Sequence, residues 1–224
     1  MKKLIFITFL LLSGFSPVWA QNAPVEGTEL GGDAVFDDRA LINGYTEKLA
    51  GEIKDVLLAM IGDDSLGPYK SAAAIRVFKQ KYGGEILSTE KAAIIKVLSR
   101  KLNRTDSPFV QVEIFHTLIV LDRYQYFEAM MPQLIQKLDH YNIVVRDLAY
   151  DDIQDIIKDD DRTREARIVF TSLRKMFFLS RNRLNNVQVI DEQLKKKLMV
   201  LRWAIKVLGT QELKRLTSEV IRLL

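Results

Sequence analysis

Apolar residues recur at spacings of three and four along most of this chain, and glycine or proline interrupts them at short intervals. Leu41, Tyr45, Leu49, Ile53, Leu57 and Met60 set the rhythm after Ala34, with Gly44 and Gly51 as weak points and Gly62 as the stop, which predicts a helix over Phe36–Ile61. Pro68 stands where a first helical turn tolerates proline, ahead of Ala72, Ile75, Val77, Phe78, Tyr82 and the Gly83-Gly84 stop. Ser88 is placed to cap the next helix, with Glu90 near its positive end and Ala92, Ile95, Val97 and Leu98 behind it. Ser107-Pro108 open a fourth, with Val110, Ile114, Leu118 and Leu121 on one stripe; its beginning, VQVEIF, alternates like a strand, but the helical stripe runs well past it.

The rhythm continues to the C-terminus. Phe127, Met130, Met131, Leu134, Ile135 and Leu138 form a stripe interrupted by Pro132, which removes one backbone donor and should kink the helix. A helix over Ile143–Ile157 follows, then one bearing Ala166, Val169, Phe170, Leu173 and Phe177. Leu194, Leu198, Leu201, Ile205 and Leu208 repeat at four-three-four-three spacing, Gly209 closes that helix, and Thr210 is placed to cap a last one with Leu213, Leu216, Val220 and Leu223; these two are expected to pair as an antiparallel hairpin. Eight or nine helices, short connections and no convincing strand define an all-α fold of antiparallel helical hairpins. Stacking as an α-solenoid and gathering as an irregular bundle both satisfy the pattern.

The first twenty residues read as a secretory signal: Lys2 and Lys3, the apolar run Leu4–Leu12, and the small-residue pattern Val18-Trp19-Ala20. That run falls short of the roughly 20 residues needed to cross a bilayer, so cleavage after Ala20 and a periplasmic or secreted product are expected, with no transmembrane segment in the mature chain. Residues 21–33 are poor in apolar groups and read as a flexible arm, which leaves 34–224 as one helical domain. The sequence contains 0 cysteines, which excludes disulfides, thiol catalysis, cysteine-ligated metals and a lipid-modified N-terminus, so stability rests on the core. Charge is uneven: residues 21–159 carry 16 basic and 22 acidic groups, residues 160–224 carry 15 and 7. The two parts therefore either pack against each other or present opposite fields to partners.

Along the helix at 143–157 and just past its end, Asp147, Asp151, Asp155 and Asp159 recur every four residues and form a slowly turning acidic stripe. Like charges at that spacing cost a helix about 0.2–0.5 kcal/mol per pair, so something should offset them. One reading is a solvated face balanced by Lys158 and the basic helix Arg162–Lys175; the other is a docking stripe for a basic partner or a weak divalent-cation site, without the glycine turn of a calcium loop. Asp152 instead falls between Val145, Ala149 and Ile156 in the apolar arc, where a carboxylate must be paired; Arg164 or Arg167 of the next helix is the expected partner.

Pro132, Asp139, Val145, Arg146 and Ala149 carry a further pattern. Together they make Phe127–Ile157 resemble one unit of the HEAT repeats, in which a proline-kinked first helix, an aspartate in the turn and a Val-Arg pair early in the second helix recur. Asp106-Ser107-Pro108-Phe109-Val110 resembles the same turn and helix start one unit earlier, with Val110 35 residues before Val145 and Gln111 where arginine is expected. Asp152 is grouped with these positions as architectural. The resemblance implies stacked hairpins offering an extended surface to another macromolecule, and no chemistry.

No catalytic or cofactor motif rises above background. Ser88-Thr89-Glu90-Lys91 matches S-x-x-K and Ser180-Arg181-Asn182 matches S-x-N of exported penicillin-binding enzymes, but no K-T-G follows and no sheet is available to hold one. His116 and His140 lack an H-E-x-x-H pattern and read as surface or turn histidines, while Glu85 and Glu113 lack the flanking residues of single-glutamate wall-cleaving enzymes. Lys195-Lys196-Lys197 fall between apolar positions, as a solvent face does, and Phe177, Phe178 and Trp203 read as core, unless an aromatic exposed beside those cations marks an interface. Export argues against a nucleic-acid partner. The expectation is a non-enzymatic scaffold or adaptor, without catalytic, cofactor or metal residues, that joins proteins in a bacterial-type cell envelope; the alternative is an exported enzyme or binding module acting on cell-wall polymers.

Overall fold

Capping side chains mark several of the helix starts. Asp37 Oδ1 accepts from the backbone N–H groups of Arg39 and Ala40 at 3.0 and 3.1 Å, Asp122 Oδ1 from Gln125 at 3.1 Å, Asn142 Oδ1 from Val144 at 2.8 Å, and Asp191 Oδ1 from Leu194 at 2.7 Å. The computed structural model describes residues 37–158, 161–185, 187 and 189–224; the signal-like segment 1–20, the arm 21–33 and Asp159 lie outside the described residues. Its helices are α1 (Asp38–Leu49), α2 (Lys54–Gly62), α3 (Pro68–Tyr82), α4 (Ser88–Arg104), α5 (Pro108–Leu121), α6 (Arg123–Lys137), α7 (Ile143–Ile157), α8 (Thr163–Leu184), α9 (Glu192–Leu208), a 3₁₀ segment (Thr210–Arg215) and α10 (Ser218–Leu223). No strand occurs among the described residues, and the fold is all-α.

The helices pack in two rows. Odd-numbered helices lie side by side, α1 on α3, α3 on α5, α5 on α7 and α7 on α9, and the even-numbered ones form a second, broken row of two groups, α2 on α4 and α6 on α8 with α10, which do not pack closely on each other. Hairpins α2–α3, α4–α5, α6–α7 and α8–α9 tie the rows together, as short connections between antiparallel helices require. At the centre, α5 is buried on nearly every side, because it is apolar all round rather than along the single stripe read from Val110, Ile114, Leu118 and Leu121. Phe78, Ile114, Leu118, Met131, Leu134 and Phe170 are among the fully buried side chains, each contributing roughly 1.5–3 kcal/mol by leaving water.

Several boundaries differ from the sequence expectation. The helix expected over Phe36–Ile61 is two: α1 ends at Leu49, Ala50 and Glu52 donate to Glu47 O and Leu49 O in a tight turn around Gly51, and Ile53 sits exposed at the N-cap of α2. Glycine loses more backbone conformational freedom in a helix than any other residue, and here the chain turns at it. Ser88 is the first residue of α4 and makes no capping bond; Leu87 holds the cap position. Beyond Gly209, which has φ 98°, the chain forms the 3₁₀ segment and the short α10 rather than one Thr210-capped helix, so the expected terminal hairpin is replaced by two short turns packed on α9 and α8. Gln211 Nε2 donates to Leu208 O at 2.6 Å, which closes α9 from the side. Among the described residues no helix is long and apolar enough to cross a membrane.

Candidate functional site

Charged side chains from three neighbouring helices of the odd row meet inside the fold. Arg76 and Lys79 on α3, Glu113 and His116 on α5, and Asp152 and Asp155 on α7 each form an i, i+3 pair, which places both members of a pair on one face of their helix. Arg76 Nε and Nη2 donate to Glu113 Oε1 at 2.8 and 2.6 Å, and Arg76 Nη1 donates to Asn43 Oδ1 at 3.1 Å. Lys79 Nζ donates to Glu113 Oε2 at 3.2 Å and to Asp152 Oδ1 at 3.3 Å. His116 Nδ1 lies 2.5 Å from Asp152 Oδ1 and 2.7 Å from Lys79 Nζ. One ring nitrogen thus faces both an acceptor and a donor, and its tautomer decides which it bonds.

Glu113 and His116 are 1 % and 2 % exposed and Asp152 9 %, while Asp155 reaches solvent and takes Lys158 Nζ at 2.8 Å. Burial by itself would push the Lys79 ammonium down, but Glu113 and Asp152 beside it hold it above its ordinary value. Burial would likewise raise Asp152, yet Lys79 and His116 hold its carboxyl below the usual range; Asp155 is lowered by its bond to Lys158 and then by His116. Two polar atoms remain unpaired: Asp152 Oδ2, and His116 Nε2, which is 3.2 Å from Asp155 Oδ2 but outside hydrogen-bonding geometry. The distance marks an ion-pair contact and the angle denies a hydrogen bond; the angle governs bond strength and is the better guide.

The surface cavities at α6–α8, between the starts of α3 and α5, along α4, and beside the α6–α7 turn have none of these six residues among their linings. What the six groups do in the structure is join α3, α5 and α7. Among the described residues no group of three or more histidine, aspartate or glutamate side chains is arranged to hold a metal ion.

Asp152 therefore finds its partners on α3 and α5, not on the following helix. Arg164 bonds Glu128 of α6 at 2.9 Å and Arg167 bonds Glu212 of the 3₁₀ segment at 3.2 Å. The acidic stripe is met from within the protein. Lys196 on α9 bonds Asp147 at 2.6 Å, Arg39 on α1 bonds Asp151 at 2.8 Å, and Asp155 is held by Lys158 as expected; the other offsetting charges come from α1 and α9 rather than from Arg162–Lys175. Of the repeat positions, Pro132 lies inside α6, Asp139 in the α6–α7 turn accepts from Lys197 Nζ at 2.6 Å, Val145 is buried, and Arg146 has a buried Nε without a hydrogen-bond partner.

Other expectations need correction. His116 is a core residue of α5, not a surface group; His140 is half-buried in the α6–α7 turn, its Nδ1 accepting from Asn142 N at 3.1 Å. Lys196 and Lys197 are half-buried and engaged, and of that run only Lys195 is exposed. Phe177 is buried, but Phe178 is exposed with the Arg181 guanidinium 4.4 Å from its ring centroid. Sequence reading missed the role of Arg76, Lys79, Glu113 and His116. The signal was present for two of them, since Glu113 and His116 are the only titratable groups in the mostly apolar PFVQVEIFHTLIVL. Comparison with known proteins finds no matching family, no matching curated protein and no matching solved structure.

Proposed function

We propose that the chain is an exported, non-enzymatic helical scaffold that joins proteins of a bacterial-type cell envelope, with HEAT-like stacked hairpins as its architecture. The observation that carries this reading is the use of the charges: buried charged groups join α3, α5 and α7, leaving the outer faces of the rows for contact. The pairing of Asp147 and Asp151 with Lys196 and Arg39 adds stiffness of the same kind and supports the solvated-face reading of the stripe. Export rests on the signal-like residues 1–20. A pull-down with the protein from native envelope extract tests the proposal. A stoichiometric protein partner is expected, and retention by isolated cell wall alone would overturn it.

One observation favours the second reading, a module that binds cell-wall polymer. A cleft of about 890 Å³ beside the α6–α7 turn is lined by Gln111, Gln133, Gln136, His140 and the exposed Tyr141, whose ring lies 4.3 Å from that of His140. Neutral amides beside an exposed aromatic ring suit a sugar face. Binding of wall fragments that Tyr141→Ala removes would establish this reading in place of the scaffold.

A further inference from the structure

A groove of about 610 Å³ runs between α6 and α8. Pro132 and Ile135 on α6 and Met176 and Leu179 on α8 give it an apolar lining, and Lys175 and Arg183 stand along its α8 side. Lys175, Leu179 and Arg183 follow one another at i, i+4, i+8, so they form a single row in which an apolar side chain, 75 % exposed, lies between two cations about 12 Å apart along the helix axis. The cations of the first half of α8 are used internally, Arg164 by Glu128 and Arg167 by Glu212. Lys175 and Arg183 have no carboxylate partner among the described residues, and the one carboxylate lining the groove, Asp139, is taken by Lys197. Ser172 and Ser180 turn their hydroxyls back onto Ile168 O and Met176 O of their own helix. What the groove offers an incoming group is therefore apolar surface and two unneutralised cations.

We propose that this groove binds an acidic amphipathic helix of a partner protein, one that carries two carboxylates seven or eight residues apart around an apolar side chain. The spacing follows from the row itself: carboxylates two helical turns apart meet Lys175 and Arg183 together while the residue between them covers Leu179. A concave space of this size takes inserted side chains, whereas a flat anionic bilayer would reach the rim cations and leave the lining uncovered. The inference rests on the scaffold reading and names the chemistry of its partner.

Fluorescence anisotropy with the purified protein tests it, using a labelled helical peptide with Glu at i and i+8 and Leu at i+4, beside a twin with Lys in place of Glu. Saturable binding of the Glu peptide alone is expected. The Lys175→Glu/Arg183→Glu variant, altered only at exposed positions and so retaining its thermal midpoint, should bind the Glu peptide about tenfold more weakly and gain binding of the Lys twin. Leu179→Asp should weaken both. Equal binding of the two peptides, no binding, or binding indifferent to charge reversal overturns the proposal. So does charge-dependent binding to phosphatidylglycerol vesicles without peptide binding, which would make the face a membrane contact, or a dimer that Leu179→Asp dissolves, which would give the groove to a second copy. The two readings fail separately: an envelope partner captured equally by wild type and the double variant overturns the groove and leaves the scaffold, whereas peptide binding with no envelope partner captured overturns the scaffold.

Discussion

Lys79 on α3 reaches Asp152 on α7 at 3.3 Å across 73 positions of sequence, past α5, which supplies His116 and Glu113 to the same contact. Removing one member of such a pair strands the other charge in the interior. Asp152→Ala and Lys79→Met should each destabilise the protein by roughly 3–5 kcal/mol, while Lys79→Met combined with Asp152→Leu should cost less than the two singles together. Urea unfolding of the four proteins checks this. An unshifted midpoint for Asp152→Ala would show that the pair does not hold the helices.

The same cluster sets an acid limit. Because the folded Asp152 carboxyl is held below its unfolded value, its contribution is present above the unfolded value of about 4 and is lost as pH falls through the depressed folded one. The thermal midpoint of wild type should exceed that of Asp152→Asn at pH 6, and the gap should shrink as pH falls below about 4. Lys79 has the opposite sense: with its folded value raised, its contribution is full below the ordinary lysine value of 10.5 and falls only as pH rises through the folded one. A constant gap across the acid range would contradict the assignment.

The stripe pairs are of another class. Asp147–Lys196 and Asp151–Arg39 are partly exposed, so Lys196→Ala and Arg39→Ala should each cost less than about 1 kcal/mol, and less again in 1 M salt. Chemical unfolding at low and high salt measures the difference. A cost above roughly 2 kcal/mol that survives salt would mean these pairs are buried more deeply than their exposure indicates.

Caps separate the two serine-like helix starts. Asn142 accepts from Val144 N and also donates from Nδ2 to Asp38 Oδ2 at 2.7 Å, so Asn142→Ala should cost about 1–2 kcal/mol. Ser88→Ala, at a residue that makes no capping bond, should stay within about 0.5 kcal/mol of wild type. Thermal scans of both variants are sufficient, and equal losses would restore Ser88 as a cap.

Gly209 has φ 98° and ψ 155°, a region open essentially only to glycine, and an added Cβ would press on the Gln211 side chain that closes α9. Gly209→Ala should therefore cost roughly 1–3 kcal/mol and fray the end of α9. Faster hydrogen exchange at Ile205 to Gly209 would report the fraying directly.

Helical period and most turn residues were legible in the chain because each is a relation among residues a few positions apart, whereas the caps expected at Ser88 and Thr210 do not form. The helix read over Ile143–Ile157 is α7 to the residue, and Pro68, Ser107-Pro108 and Gly209 punctuate the helices where their chemistry demands. The burial of Asp152 was also readable, since its place in the apolar arc follows from helical geometry alone. Its partner was not. Lys79, Arg39 and Lys196 reach the α7 carboxylates from helices distant in sequence, and the groove of Lys175, Leu179 and Arg183 exists only where α6 comes to lie against α8. The sequence by itself determined the helical class, most of the apolar faces and the start or stop of helices marked by proline or glycine; tertiary packing decided where the first and last helices break and which charges meet, because those depend on the relative placement of whole helices and no short-range pattern encodes it.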